Sequence, residues 1–330
     1  MLYRQLGSTG IAVSEVGFGA WSIGGWTPGQ LSYGATSDTT SLAALARALE
    51  LGVTFIDTAY LYGLGHSERL IGEAIRGRRD KVVLATKAGY VDYSTSADYS
   101  PDAVSRSLHI SLERLGTDHV DLLQLHSPPA AILSEQPNIV EGLARLREQG
   151  LTRALGFSAS SPTEAAAALR LFPFDAVQVN LNMLDIRALE CGLFEAVRAS
   201  GSGIIARTPL CFGFLSGQIA PDTEFPPEDH RSRWNGEQVA RWAEAATTVL
   251  ALAGVGRSHS AVQAALRFCL SFPEVCVVIP GIATPEEATE NVGASDLGPL
   301  APAAIEAILK FHSHHNVVLG GPVAGAQKRA

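Results

Sequence analysis

The 330-residue chain predicts an α/β fold: a (β/α)8 barrel with an N-terminal β-hairpin and a long loop after the seventh strand. Three observations lead there. Short apolar, β-branched runs alternate eight times with longer runs rich in Ala, Leu, Glu and Arg. The short runs are continuously apolar, as strands buried on both faces of a parallel sheet are. No repeat, low-complexity tract or long linker interrupts the alternation, so one domain over 1–330 is expected, with a loose tail from about 317.

The elements follow in order. The segments LYRQL and IAVSEV flank Gly7-Ser8-Thr9-Gly10, which predicts the hairpin. Strands are predicted at 13–19, 53–57, 81–86, 120–125, 152–157, 176–180, 203–207 and 275–280. A helix over 40–51 has Ser37 or Asp38 as its cap, and one over 67–76 opens with Ser67-Glu68. The next, over 101–115, opens with Ser100-Pro101, and one over 139–149 closes at Gly150. Ser161-Pro162-Thr163-Glu164 opens another, and helices over 186–200, 237–253 and 284–292 complete the alternation. Residues 214–236 carry no periodic pattern, and a loop of that length in a compact domain tends to be functional.

Bulk properties exclude several classes. The net charge is −8 with both signs scattered, so no basic stripe offers a nucleic-acid surface. No run approaches the ~20 apolar residues of a membrane span, and MLYRQLGSTG carries no signal-peptide core. Cys191, Cys211, Cys269 and Cys276 form no CxxC, the usage of free thiols in a reducing cytosol. A soluble cytoplasmic enzyme is expected, without membrane or nucleic-acid partners; its oligomeric state is not specified. His312, His314 and His315 have no other ligand close in sequence and read as a surface tail, so no metal site is expected.

In such a barrel the C-terminal strand ends converge on one mouth. VTFI ends at Asp57, VVLAT at Lys87, LLQL at His126 and ALGF at Ser158, while AVQVN carries Gln178 and Asn180. Tyr62 lies just beyond Asp57 on the same loop. Each alone is ordinary: a strand-ending Asp, a surface Lys, a loop His before Ser127-Pro128. Together they suit proton transfer to a carbonyl oxygen. A free phenol, with a pKa of about 10, donates well but is a reluctant base. A nearby ammonium favours its ionised form, a carboxylate keeps that ammonium charged, and a His orients the oxygen. No nucleophile with an activating base points to acyl transfer. No convincing set of metal ligands or paired carboxylates points to a barrel hydrolase or lyase. The hydride that reduction needs must come from a cofactor.

The blocks YRQLGSTGIAVSEVGFG, FIDTAYLYGLGHSE, LATKAG, DLLQLHSP, LGFSAS, VQVNLN, ARTPLCFGFLSG and VIPGIATPEEATEN make the chain resemble an aldo-keto reductase over nearly its whole length. That resemblance implies a TIM barrel that binds NADP(H) or NAD(H) without a Rossmann fold, and no GxGxxG is present. It implies Tyr62 as proton donor and acceptor, Asp57 and Lys87 as its charged partners, and His126 as the group that orients substrate. Ser158 and Gln178 match residues that hold the nicotinamide amide, although Ala159 stands where Asn is usual. Arg207 stands where an aromatic commonly stacks on the nicotinamide. The run Thr208, Pro209, Leu210, Gly213, Leu215 and Gly217 resembles the loop over the pyrophosphate. Gly19, Ala20, Trp21 and Asp57 are further expected cofactor contacts, and Asn291 matches an adenine contact.

Gly281 and Glu287 replace the Lys and Arg that hold a 2′-phosphate in NADP-preferring members. An acidic group repels that phosphate but accepts from a 2′-hydroxyl, so the two cofactors stay open. Expected substrate contacts are Trp21, Tyr62, His126 and Tyr90, with Tyr60 and Trp234 as looser candidates. The substrate class is an aldehyde, ketone or sugar, as carbonyl or alcohol. The alternatives are an NAD-dependent sugar (aldose) dehydrogenase and, of another kind, a cofactor-binding regulatory subunit.

Overall fold

The structure, a computed structural model, describes residues 1–27, 32–92, 94–256, 259–315 and 317. Strands β1 (Tyr3–Gln5) and β2 (Ala12–Ser14) pair antiparallel as the predicted hairpin. The barrel begins with β3 (Phe18–Gly19), so the predicted strand 13–19 is divided between hairpin and barrel. Side-chain bonds at the bend explain the division. Glu15 is buried against Arg4, whose Nε lies 2.8 Å from it, and the Ser14 hydroxyl donates to the Val16 carbonyl.

Helix α1 (Asp38–Glu50) leads to β4 (Phe55–Asp57), α2 (His66–Ala74) to β5 (Val83–Ala88), and α3 (Pro101–Leu115) to β6 (Val120–His126). Then come α4 (Ile132–Glu135), α5 (Asn138–Glu148), β7 (Thr152–Ser158), α6 (Pro162–Leu171) and β8 (Ala176–Asn180). The chain continues with α7 (Arg187–Glu190), α8 (Leu193–Ser200), β9 (Gly203–Arg207), α9 (Gly236–Leu252) and α10 (Ala261–Leu270). It ends with β10 (Val275–Ile279), α11 (Pro285–Asp296) and α12 (Pro302–His314).

The eight strands β3 to β10 form one parallel sheet in sequence order, and the bridges Val16–Val278 and Gly19–Gly281 join its edges. Gly19 is needed at that seam, because a Cβ there would lie 2.7 Å from the Pro280 carbonyl oxygen. Ser37, Ser100 and Ser161 cap α1, α3 and α6 by accepting a backbone N–H, and Pro101 and Pro162 occupy the first helical position. Ser67 is not a cap. It is buried inside α2, donates to the Ala20 carbonyl and bonds the Thr58 hydroxyl. The predicted helix 186–200 breaks into two at Gly192, where φ is +77°. Helix α10 lies where no helix is predicted: its face is so continuously apolar that the helical period is hidden, although Ser260 and Gln263 form a capping box.

Inside the barrel, Phe55, Val83, Ala85, Leu122, Ala154, Ala176, Ile205 and Val277 make an apolar core. Leu6, Ile11 and Val13 of the hairpin join it, so the hairpin closes the N-terminal end and the chemistry is left to the other. Fully burying a side chain such as Phe55 contributes roughly 1.5–3 kcal/mol. The segment after β9 holds only 3-10 turns before α9 and is anchored by Phe212, Phe214, Trp234 and Trp242. Val317, at the start of the predicted loose tail, is buried and accepts from the Trp242 indole; residues 318–330 of that tail lie outside the described ones. Among the described residues no helix is long and apolar enough to cross a membrane.

Candidate active site

Neighbouring strand ends bring Asp57 and Lys87 together. The Lys87 ammonium donates to Asp57 Oδ2 at 2.6 Å, to the Thr58 carbonyl at 2.8 Å and to the Tyr62 hydroxyl oxygen at 3.1 Å. Its three protons are thereby all committed. The Lys87 side chain has no exposed surface. Burial works against its charge, but Asp57 and Tyr62 outweigh that and hold its pKa above the usual value.

Tyr62 sits on a braced loop. Gly63, Leu64 and Gly65 all have left-handed backbone, with φ of +59°, +52° and +89°. Gly63 packs so closely on the β3–α1 loop that a Cβ would fall 2.0 Å from the Gly24 oxygen. From the other side, Arg114 donates to the Tyr60 carbonyl and to the buried Glu68 carboxylate, both at 3.1 Å. Glu68 also accepts from Thr86 at 2.8 Å. Arg114 also lies over the Tyr60 ring, 4.3 Å from its centre, so Tyr60 helps to brace the loop.

His126 presents its ring edge-on to Tyr62 and Tyr90, with centroids 6.1 and 5.5 Å apart. Burial, helped by the Lys87 and Arg207 cations, pushes its pKa down to about 3, so the imidazole is neutral near pH 7. Its carbonyl accepts from Tyr99 at 2.6 Å.

The residues expected to meet the nicotinamide amide bond one another and their neighbours. Ser158 donates to Gln178 Oε1 at 3.3 Å, while Gln178 Nε2 donates to Asp57 Oδ1 at 2.7 Å and to Gln124 Oε1 at 3.3 Å. Gln124 donates to the same Asp57 oxygen at 3.1 Å. Arg207 donates to the Ala159 carbonyl at 2.9 Å, and its buried Nε has no partner among the described residues. Burial lowers its pKa in spite of Tyr62 and Asp57 nearby.

Beyond Arg207 the backbone is left-handed at Thr208, Cys211, Phe212, Gly213 and Gly217; Leu215 N bonds the Leu210 carbonyl, and Pro209 lies between Thr208 and Leu210. Gly19 and Ala20 are buried at the end of β3, and Trp21 packs against Tyr33 and His230. Trp234 is 7% exposed and packs within the aromatic anchor of the long loop. At the start of α11, Glu287 Oε2 accepts from Ala283 N at 2.6 Å, and its own N–H bonds the Thr284 hydroxyl. Gly281 is open enough that a Cβ would meet only Ser22, at 3.4 Å. Asn291 is buried, and its amide nitrogen has no partner among the described residues. His312 is committed to the Met183 carbonyl at 2.8 Å.

Unpartnered buried donors at Arg207 and Asn291, and the helix N-terminus at Thr284, fit a dinucleotide laid from the barrel mouth toward α11. Sequence reasoning missed Gln124, although an amide inside the apolar run LLQL is a visible anomaly. It also missed Arg114, for which no local pattern stands out.

The Aldo/keto reductase family model matches residues 15–312. Aldo-keto reductase str7 of Strobilurus tenacellus is 32% identical over 300 residues, covering 89% of this chain and 87% of its own. The glycerol dehydrogenase AKR11B4 from Gluconobacter oxydans has a TM-score of 0.77 at 25% identity and covers 99% of each chain. The holo form of aldo-keto reductase AKR11C1 from Bacillus halodurans has a TM-score of 0.75 at 27% identity, over 94% of this chain and 96% of its own.

Proposed function

The chain belongs to the aldo/keto reductase family of NAD(P)H-dependent oxidoreductases, and from that premise we propose that Tyr62 is its general acid and base. One observation carries this: the Tyr62 oxygen accepts from Lys87, so the phenolic proton is left to point at a substrate oxygen. In the reducing direction Tyr62 gives that proton to the carbonyl oxygen. In the oxidising direction it takes the proton from the alcohol. Lys87 holds the phenol oxygen and favours negative charge on it, and Asp57 keeps Lys87 charged and aimed. Neutral His126 orients the substrate oxygen by hydrogen bonding, and Trp21 and Tyr90 flank the substrate.

A nicotinamide dinucleotide supplies the hydride when bound. Ser158, Gln178 and Arg207 would hold its nicotinamide end, and Gly19, Ala20, Trp21 and Asp57 would line it. The run from Thr208 through Pro209, Leu210, Gly213, Leu215 and Gly217 would cover its pyrophosphate, and Gly281, Glu287 and Asn291 would receive the adenosine end. Residues 281–287 contain no Lys or Arg, which favours NAD(H) over NADP(H). The substrate is a small aldehyde, ketone or sugar or the matching alcohol; the likeness to a glycerol dehydrogenase supports including polyols. Tyr62→Phe is expected to lower turnover by about 10²–10⁴-fold, with cofactor affinity by fluorescence titration kept. Undiminished turnover would refute the assignment.

A further inference from the structure

Asp57 Oδ1 is held by two amides, and the proposed cofactor contact accounts for only one. Gln178 has a second proposed duty at the nicotinamide. Gln124 has none, yet it is fully buried in β6 between Leu123 and Leu125. An amide in that setting is costly unless bonded. In register it stands between Lys87 on β5 and Gly156 on β7. Gly156 makes the room: a Cβ there would lie 2.8 Å from Gln124 Cγ. Across strands β4 to β8 the barrel thus sets the Asp57 carboxylate, the Lys87 ammonium and two amide arms in one layer, with a glycine where a side chain would obstruct them.

We propose that Gln124 is a positioning residue for proton transfer: its amide holds Oδ1 of Asp57 so that Oδ2 stays on Lys87 and the third Lys87 proton stays on Tyr62. The proposal rests on the role given to Tyr62 above. If Gln178 turns toward a bound cofactor, Gln124 is the amide that remains on Oδ1. Without it, the carboxylate is free to rotate and concentrates its charge on the ammonium, which then supports the phenol oxygen less. The other titratable groups facing Lys87 and Tyr62 are His126, already neutral, and Arg207.

The test measures kcat, KM and cofactor Kd from pH 5 to 9 for Gln124→Leu, Gln124→Glu and Gly156→Ala, using a simple aldehyde and its alcohol. Losing one hydrogen bond to a charged group predicts a kcat lowered about 10-fold or more in Gln124→Leu. KM and cofactor Kd should stay within about twofold, because the altered bond lies behind the reacting groups. The ionisation limb of alcohol oxidation, which belongs to the coupled Asp57–Lys87–Tyr62 unit, should move alkaline by about half a unit or more. Gly156→Ala should move it the same way by crowding Gln124. In Gln124→Glu a protonated carboxyl can still donate, so activity relative to wild type should recover at acid pH and fall as pH rises.

A folded Gln124→Leu with unchanged kcat and limb overturns the proposal. Should that variant not fold, a flat Gln124→Glu to wild-type activity ratio across pH overturns it instead. Turnover persisting in Tyr62→Phe would sink the proposed function itself. Loss of turnover there with no limb shift at Gln124 sinks only this inference.

Discussion

His126 is neutral in the folded site, and folding must therefore weaken as protons become available. Its folded pKa of about 3 lies below the ordinary value of 6.5. A depressed pKa means the unfolded chain binds the proton first. The stability is complete above 6.5 and is lost as pH falls from there toward 3. At pH 5 the unfolded ring is almost fully protonated and the folded ring is not, which costs about 2 kcal/mol relative to pH 8. That figure hardly depends on the folded value, provided it stays below about 4. His230, pushed down to about 4 chiefly by burial and then by Arg233, weakens folding in the same window. Urea unfolding of wild type and His126→Gln at pH 8, 6.5 and 5 checks this. The variant should lose about 2 kcal/mol less than wild type between pH 8 and 5, whatever constant penalty it carries. Equal losses, or an NMR titration of His126 centred near 6.5, would refute the depressed His126 pKa and the pH dependence drawn from it.

Three further outcomes are expected. Lys87→Met leaves Asp57 buried without its cation, so turnover should collapse and stability at pH 7 should fall, by up to about 3–5 kcal/mol. Wild-type turnover, or wild-type stability in denaturant titrations at pH 7, would contradict this. Glu287→Arg should shift relative affinity toward NADP(H), and unchanged ratios in paired fluorescence titrations would remove Glu287 from cofactor selection. Gly63→Ala combines a positive φ with a Cβ 2.0 Å from the Gly24 oxygen, so it should destabilise by about 1–3 kcal/mol and reduce turnover by moving Tyr62. Wild-type melting and activity would show that this contact does not position the loop.

The barrel was legible because continuous apolar strands and Ser- or Ser-Pro-capped helices are local features. Where a tertiary contact overrode the local pattern, the sequence misled. Ser67 has the composition of a cap but is spent on Ala20 and Thr58. Helix α10 is buried so thoroughly that its period vanished. The brace on Tyr60 was illegible because nothing in FIDTAYLYG reveals Arg114, which arrives from α3. The partners of Ser158 and Gln178 were illegible for the same reason, since Asp57 and Gln124 lie far away in sequence.

The site residues found at strand ends share a physical property: each violates the apolar rule of its own strand. A buried Asp–Lys pair is expensive to desolvate, and well-packed apolar residues in its place are often as stable or more so. A structure that keeps such a pair on adjacent strand ends and adds two amides to its carboxylate is arranged for something other than stability. Asp57 and Lys87 stood out because charge ends an apolar run. By the same criterion Gln124 should have stood out too, since it breaks an apolar strand from within. A polar residue at a strand end has a ready structural excuse, whereas one inside a doubly covered strand has none until its partners are known.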